Sequence, residues 1–238
     1  MKHSFSLLLI AFVILAGSCS KNNDSPAPGN TGSNSARVKT YVGSWSQQSY
    51  EYDSKGRIVK ESWATGEHED YVWNNDNTIT RTEYASDNSV VSVGTFELNA
   101  DGLITKKTYS NNDEVVVYFY NPDKTIAKRT NTNNGNTGVI DYFYTNGNFD
   151  SSRYSYNGTW NSTYTATYYD KTDVLSDENF GFVFYGKSNK KLIKSEKTHY
   201  SNNVDIMWNY TYEFDGQGRV TKRTSTQDQD VYIDLYTY

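Results

Sequence analysis

The sequence has little cysteine and little proline: its 238 residues include one cysteine, Cys19, and three prolines. A single cysteine cannot form a disulfide within one chain, which excludes a disulfide-stapled scaffold. After an apolar run at residues 7–16, no stretch is long and apolar enough for a spanning helix, and sustained helical spacing of apolar residues is missing. Gly-rich phosphate loops, HExxH and cysteine-based metal motifs are absent too, so we predict no cofactor, no metal and no motif-defined catalytic residue.

The N-terminus is typical of an export signal. Lys2 and His3 precede the apolar run at 7–16, which is too short to remain in a bilayer, and we expect residues 1–18 to be removed. The following "LAGSCS" resembles the lipobox at which bacterial lipoproteins are cut and diacylated. This resemblance implies that Cys19 becomes a lipidated N-terminus that anchors the protein to the bacterial outer membrane, on the periplasmic or cell-surface side. The alternative is an ordinary secretory signal with a chance cysteine.

The segment at residues 19–38 reads as a flexible, lipid-anchored tether. It runs "CSKNNDSPAPGNTGSNSARV", almost all small, polar, Gly or Pro, and cannot bury a core. Loss of Lys2 leaves 22 of the 23 basic residues against 28 acidic ones, a net charge near −6. This charge argues against nucleic acid or an anionic lipid surface as a partner.

Residues 39–238 are predicted to form one repeat-built β domain. A pair of large side chains two residues apart, aromatic except for Leu98, recurs with a period of roughly 23 residues, and this spacing puts both side chains on one face of a strand. The pairs are Tyr50 and Tyr52, Tyr71 and Trp73, Phe96 and Leu98, Tyr118 and Tyr120, and Tyr142 and Tyr144.

Turn residues follow each aromatic pair. "DSKG" at 53–56 and "DGQG" at 215–218 place Asp at the first turn position and Gly where the backbone must be left-handed, as in a bulged hairpin. An apolar residue then starts the returning strand, followed by basic tails such as "TKK" at 105–107 and "AKR" at 127–129, which we interpret as solvated faces. "FVFYGKSNKKLIKS" at 182–195 is taken as a further hairpin, whereas the units at 142–153 and 164–175 depart from the motif and their register is open.

The predicted fold is therefore all-β, an antiparallel hairpin meander of about 14–17 strands. So many strands must close or fold over, and both a barrel-like sheet and a two-layer sheet remain open. A lipid-embedded barrel fits poorly, because strands such as "IVKESWATGEHED" lack an apolar residue at every second position.

Two resemblances accompany these patterns. The "YxYDxxGRxxK" units at 50–60 and 212–222 look like the YD repeats of RHS-type surface proteins. The lipobox, the tether, the irregular hairpins and "GKSNKKLIKS" at 186–195 look more like a bacterial lipoprotein family of unknown function with a porin-like β fold, over roughly 39–238. That family implies an exported, lipid-anchored β protein and brings no assigned catalytic residues.

The functional hypotheses rest on aromatics and acids. Trp63 and Trp160 lie near polar turns, where exposed rings could form a platform for a sugar. The first hypothesis is a non-enzymatic cell-envelope lipoprotein that binds a glycan or an envelope protein; the alternative is a carboxylate-based glycan-cleaving enzyme. The acids at 67, 69 and 70 are interpreted as a solvated hairpin tip, and His68 and His199 as surface residues.

Overall fold

The computed structural model describes residues 37–44 and 46–238, in which sixteen antiparallel strands close into one barrel. Each strand pairs with its neighbours in the chain, and β1 closes the ring by pairing with β16 through Thr40, Tyr41 and Val42. The strands are β1 Thr40–Val42, β2 Gln47–Tyr52, β3 Ile58–Trp63, β4 His68–Trp73, β5 Thr78–Tyr84, β6 Val90–Leu98, β7 Ile104–Tyr109, β8 Val115–Tyr120, β9 Ile126–Asn133, β10 Asn136–Thr145, β11 Asn148–Tyr156, β12 Thr159–Thr172, β13 Lys191–Tyr200, β14 Asp205–Phe214, β15 Val220–Gln227 and β16 Asp230–Thr237.

The all-β hairpin meander is confirmed, with closure into a barrel rather than a two-layer sheet. Asp53 accepts hydrogen bonds from the backbone N–H groups of Lys55 and Arg57, and Gly56 takes the expected left-handed φ of 73°. The same bonds recur at Asp215, so one turn chemistry sets the β2–β3 and β14–β15 hairpins. Cys19, the signal at 1–18 and most of the tether lie outside the described residues.

The predicted hairpin at 182–195 is wrong. Residues 173–190 instead form a long connection from β12 to β13 with two short 3₁₀ helices, Asp177–Phe180 and Val183–Tyr185. The aromatic pair Phe182 and Phe184 has the spacing of a strand, but no strand forms there. Of the units with open register, 142–153 is a hairpin of β10 and β11 with one irregularity, whereas 164–175 runs from β12 into the connection, and β12 pairs with β13 with two register shifts.

Residues 173–190, which we call the plug, fill one end of the barrel. Phe184 is 1% exposed and packs on rings of the inner wall, Tyr71, Trp73 and Phe96. On other sides of the wall, Phe180 packs on Tyr50 and Tyr236, and Tyr185 packs on Tyr118. Because these wall rings belong to β2, β4, β6, β8 and β16, the plug spans the lumen.

Backbone hydrogen bonds fix the plug to the rim. The Ile58 N–H donates to the Gly181 carbonyl, and the Lys187 N–H donates to the Lys124 carbonyl. Gly181 and Gly186 have φ of 79° and 86°, and a Cβ at Gly186 would lie 2.4 Å from the Lys124 oxygen. Only glycine permits this approach, so the plugged end is the end with the β2–β3, β6–β7 and β8–β9 turns. The opposite end, with the β9–β10 and β11–β12 turns, is called the open end.

The outer face of the barrel is polar along its strands. The cross-strand register puts Lys106 opposite Glu97 and Lys128 opposite Asp141, and both pairs are exposed, with N–O distances of 3.1 and 3.7 Å. Apolar residues also face outward: Phe143 is isolated, whereas Val231, Ile233 and Leu235 form a row along β16. Within the described part of the chain, no helix is long and apolar enough to cross a membrane.

The plug generates a stability prediction. Phe184→Ala removes a fully buried ring from the aromatic core, and we expect the free energy of unfolding to fall by about 3–5 kcal/mol. The control is Phe143→Ala on the outer face, where the ring is 52% exposed and the change should stay within about 0.5 kcal/mol. Urea denaturation measures both, and equal losses would show that the plug is not part of the core.

Candidate functional site in the barrel lumen

Ionisable side chains line the lumen above the aromatic core. The returning strands β3, β5, β7, β9 and β15 each carry one at a similar height, and we call this set the charged ring: Glu61, Arg81, Lys107, Arg129 and Arg223. The prediction that the basic tails are solvated faces is therefore correct for the residues that face outward and wrong for those that face the lumen. In "TKK" Lys106 faces solvent, whereas the next residue, Lys107, is buried at 7% exposure, because side chains alternate along a strand.

Two members of the charged ring have carboxylate partners. Arg81 donates from both Nε and Nη2 to Glu69, which also accepts a 2.6 Å hydrogen bond from the Tyr71 hydroxyl. Arg223 donates from Nε to Asp234 at 2.8 Å, and the Tyr41 hydroxyl donates to the other oxygen of that carboxylate. The Arg81–Glu69 pair is bidentate, whereas Arg223 contacts a single oxygen of Asp234, and both pairs fix side chains across adjacent strands.

Glu61 lies opposite Glu69 in the β3–β4 register and faces the lumen. Burial, and then the adjacent Glu69 charge, raises the pKa of Glu61 to about 7. Two converging carboxyl groups are the minimum for glycoside cleavage. Glu69, however, has both oxygens engaged by Arg81 and Tyr71, so this carboxylate is not free to attack a substrate.

Lys107 sits in a cage of three rings. Its Nζ lies 4.7 Å from the Phe96 ring centroid, 5.5 Å from that of Tyr118 and 4.6 Å from that of Tyr185, and it donates a 2.5 Å hydrogen bond to the Tyr185 hydroxyl. Burial, followed by repulsion from Arg129, lowers the pKa of Lys107 to about 7. Since Tyr185 belongs to the plug, Lys107 connects the plug to the wall.

A cavity of about 540 Å³ opens at the open end of the lumen. It lies between β9, β10 and β11, and its lining combines one guanidinium, several amides and two phenol rings: Arg129, Asn131, Asn133, Asn134, Asn136, Gly138, Ile140, Tyr154 and Tyr156. A Cβ at Gly138 would lie 3.2 Å from the Tyr154 ring, so the glycine lets that ring lean against the wall. The volume suits a small organic ligand.

A second cavity of about 420 Å³ continues toward the plug and shares Ile140 with the first. Its wall side is aromatic, with Tyr142, Tyr144 and Phe149, while Asp177 and Asn189 line it from the plug. Burial raises the pKa of the Asp177 carboxyl, which accepts a hydrogen bond from the Ser188 hydroxyl. The lumen is thus polar at the open end and aromatic at the plugged end.

The two tryptophans proposed as a ligand platform lie on different faces. Trp63 pairs with Gln48 near the open end and faces the lumen. Trp160 stacks on His199 at 5.7 Å on the outer face, where His199 also contacts Asp205. The structure does not bring them together, and a ligand-binding role for each stays a prediction.

The acids of the predicted solvated hairpin tip do not all face solvent. Glu67 is exposed, Glu69 faces the lumen, and Asp70 faces solvent opposite Lys60. His68 stacks on Tyr84 at 4.5 Å at the start of β4. In residues 37–44 and 46–238, no group of three or more His, Cys, Asp or Glu side chains could hold a metal ion.

Arg129, Tyr154 and Tyr156 were missed by sequence reasoning. Arg129 looked like part of a solvated tail, and the β10–β12 units had no assignable register. Alternation carried from Tyr118 and Tyr120 across the turn to Ile126 would place Lys128 inward instead, because the irregularity beside Tyr120 shifts the alternation by one residue.

Comparison with solved structures supports the fold. The chain is similar to a porin-like protein from Bacteroides uniformis, with 18% identity, a TM-score of 0.61 and coverage of 84% of this chain and 95% of that chain. It is also similar to a porin-like protein from Bacteroides vulgatus, with 12% identity, a TM-score of 0.58 and coverage of 85% and 98%.

At these identities the likeness shows the fold alone, and it confirms the porin-like β fold in the predicted resemblance. No protein-family model and no curated protein matches the chain. Membership of a lipoprotein family and kinship with YD repeats stay predictions.

The Lys107 cage predicts a pH dependence. The folded pKa is about 7 and that of an unfolded lysine is about 10.4, so between these values only the unfolded state keeps the proton. The unfolding free energy should therefore gain about 1.4 kcal/mol per pH unit from this residue above pH 7, and Lys107→Met should remove that gain.

Denaturation of the wild type, Lys107→Met and the outward control Lys106→Met between pH 6 and 9.5 measures the effect. The difference between the wild type and Lys107→Met should change with pH, whereas that between the wild type and Lys106→Met should not. A pH-independent difference for Lys107→Met would contradict the burial of a poorly protonated amine.

Proposed function

We propose that this chain is a cell-envelope lipoprotein, anchored through Cys19 in the bacterial outer membrane, whose barrel binds a glycan in the open end of its lumen. The observation that carries the proposal is the 540 Å³ cavity between β9, β10 and β11. The function is non-enzymatic binding.

The lining of the cavity suits a sugar. Tyr154 and Tyr156 offer ring faces for the C–H side of a pyranose, and Tyr156 is 45% exposed. The amides of Asn133 and Asn136 offer donors and acceptors for hydroxyl groups. The Asn157 side-chain amide donates a 2.9 Å hydrogen bond to the Asn136 oxygen. The NH₂ group of Asn136 is therefore left to donate to a ligand.

The plug supports binding rather than conduction. The two 3₁₀ helices and their aromatic contacts occupy the lumen at the plugged end, with Phe184 1% exposed. Solute flow through a porin needs a continuous aqueous path. A lumen open at one end and filled at the other is a pocket.

The outer wall supports attachment beside a bilayer. A spanning barrel presents an apolar band about 25 Å tall to lipid, whereas this wall carries exposed pairs such as Lys106 with Glu97 and Lys197 with Asp205. The lipid on Cys19 would then supply the membrane contact. A protein partner on the outer face stays an alternative to the glycan.

The anchor predicts a partitioning behaviour. In a bacterial host that lipidates lipoproteins, the wild type should enter the detergent-rich phase of Triton X-114, and Cys19→Ala, exported by a secretory signal, should enter the aqueous phase. A barrel embedded in lipid would keep the variant in the detergent-rich phase, and that outcome would contradict the anchor.

Glycan binding is tested by an array screen followed by titration of the hits. Tyr154→Ala should weaken binding by roughly tenfold or more, since truncation of a central aromatic contact costs on the order of 1–2 kcal/mol. Phe143→Ala, which removes an exposed ring from the outer face, is the matched control and should bind like the wild type.

The other outcomes separate the alternatives. Loss of binding in Trp160→Ala alone would move the site to the outer face. Release of shorter saccharides, abolished in Glu61→Gln, would support the glycan-cleaving enzyme. No binding to any glycan would favour a protein partner.

A further inference from the structure

Arg129 is the arginine of the charged ring without a carboxylate partner. Arg81 contacts Glu69 and Arg223 contacts Asp234, but Arg129 forms no salt bridge and no side-chain hydrogen bond within residues 37–44 and 46–238. Its guanidinium lines the open-end cavity. Glu114, the acid of the neighbouring β7–β8 connection, accepts a 2.6 Å hydrogen bond from Asn131 and makes no salt bridge with Arg129.

Without a bound ligand, the surroundings of Arg129 make its unpaired positive charge energetically unfavourable. Lys107 lies on the adjacent hairpin, and repulsion from Arg129 helps to lower the pKa of that amine. Its cross-strand neighbours Tyr118 and Ile140 offer rings and methyl groups but no negative charge. A half-buried guanidinium without a carboxylate partner stabilises an anion placed near it.

We propose that the open-end cavity binds an acidic saccharide, whose carboxylate or sulfate group pairs with Arg129 while its ring lies on Tyr154 or Tyr156. This inference rests on the proposed glycan-binding function and names the class of glycan. Arg129 is the one charged residue among the side chains that line the cavity. Asn133 and Asn136 serve the neutral hydroxyl groups of the same ligand.

The overall charge of the chain does not oppose this ligand. The net charge is −5, which disfavours broad polyanionic surfaces such as nucleic acid. A single anionic group is recognised at short range, however, and a cavity with low-dielectric walls strengthens that contact. Selectivity for a short acidic saccharide over a long polyanion follows from this combination.

The test is isothermal titration calorimetry of the full mature protein with three probes of equal length: trigalacturonate, its methyl ester and a sulfated neutral trisaccharide. The wild type should bind at least one anionic probe at least tenfold more tightly than the methyl ester. The preferred anionic probe identifies the group as carboxylate or sulfate.

The variants locate the contact. Arg129→Gln should lose the preference for the anionic probe, Arg129→Lys should keep part of it, and Arg153→Gln should keep all of it. Arg153 is the matched control because it removes the same charge from the outer face of β11, opposite Asp141. If Arg129→Gln fails to fold, the affinities of the wild type for the two anionic probes and for the ester still decide whether the cavity prefers an anion.

The failures are distinguishable. Binding of both anionic probes by the wild type no more tightly than the ester would overturn the acidic-saccharide inference and leave glycan binding in place. A preference that survives in Arg129→Gln would also overturn it. Absence of binding to all three probes and to the glycan array would remove the proposed function itself.

Discussion

The structure depends on one geometric constraint: sixteen strands make a barrel too wide for the side chains of its own wall to fill. An empty apolar lumen would lose the contacts that stabilise a core. The chain solves this with two devices, large aromatic side chains on the inner face and the plug at 173–190. Phe184, buried by rings from β4 and β6, is where the two devices meet.

The same constraint explains why the charges lie inside. With the plug filling one end, the rest of the lumen stays wet enough for ionisable groups, and the charged ring occupies the boundary. Arg81 and Arg223 are neutralised by carboxylates on adjacent strands, while Lys107 is held by the plug and the Arg129 guanidinium faces the cavity. The likeness to the porin-like proteins therefore concerns the barrel wall, whereas the lumen of this chain is filled at one end by the plug.

The wall was predictable because its signals are local. Asp53 and Gly56 define a turn by their own chemistry, and the Tyr50 and Tyr52 spacing defines a strand face, so the meander follows from short windows of sequence. The plug was not predictable in this way. Phe182 and Phe184 repeat the strand spacing, and only the left-handed Gly181 and Gly186 on either side mark the departure.

The site was harder to predict than the fold. Whether Arg129 faces the lumen depends on the β8–β9 register and the irregularity beside Tyr120, which displaces the alternation by one residue. The pairing of Glu61 with Glu69 depends in the same way on the β3–β4 register. Whether a side chain faces the lumen is set by the pairing of the strands, and a single sequence does not show that pairing.

Amide hydrogen exchange of the plug tests the central claim most directly. The N–H groups of Gly181, Phe182 and Lys187 donate to backbone carbonyls, and we expect them to exchange as slowly as those of the barrel strands. The reference is the exposed β13–β14 turn around Asn202, which should exchange rapidly. Exchange of the plug amides at the rate of that turn would show that residues 173–190 do not fill the lumen, and the account of a pocket with one closed end would be wrong.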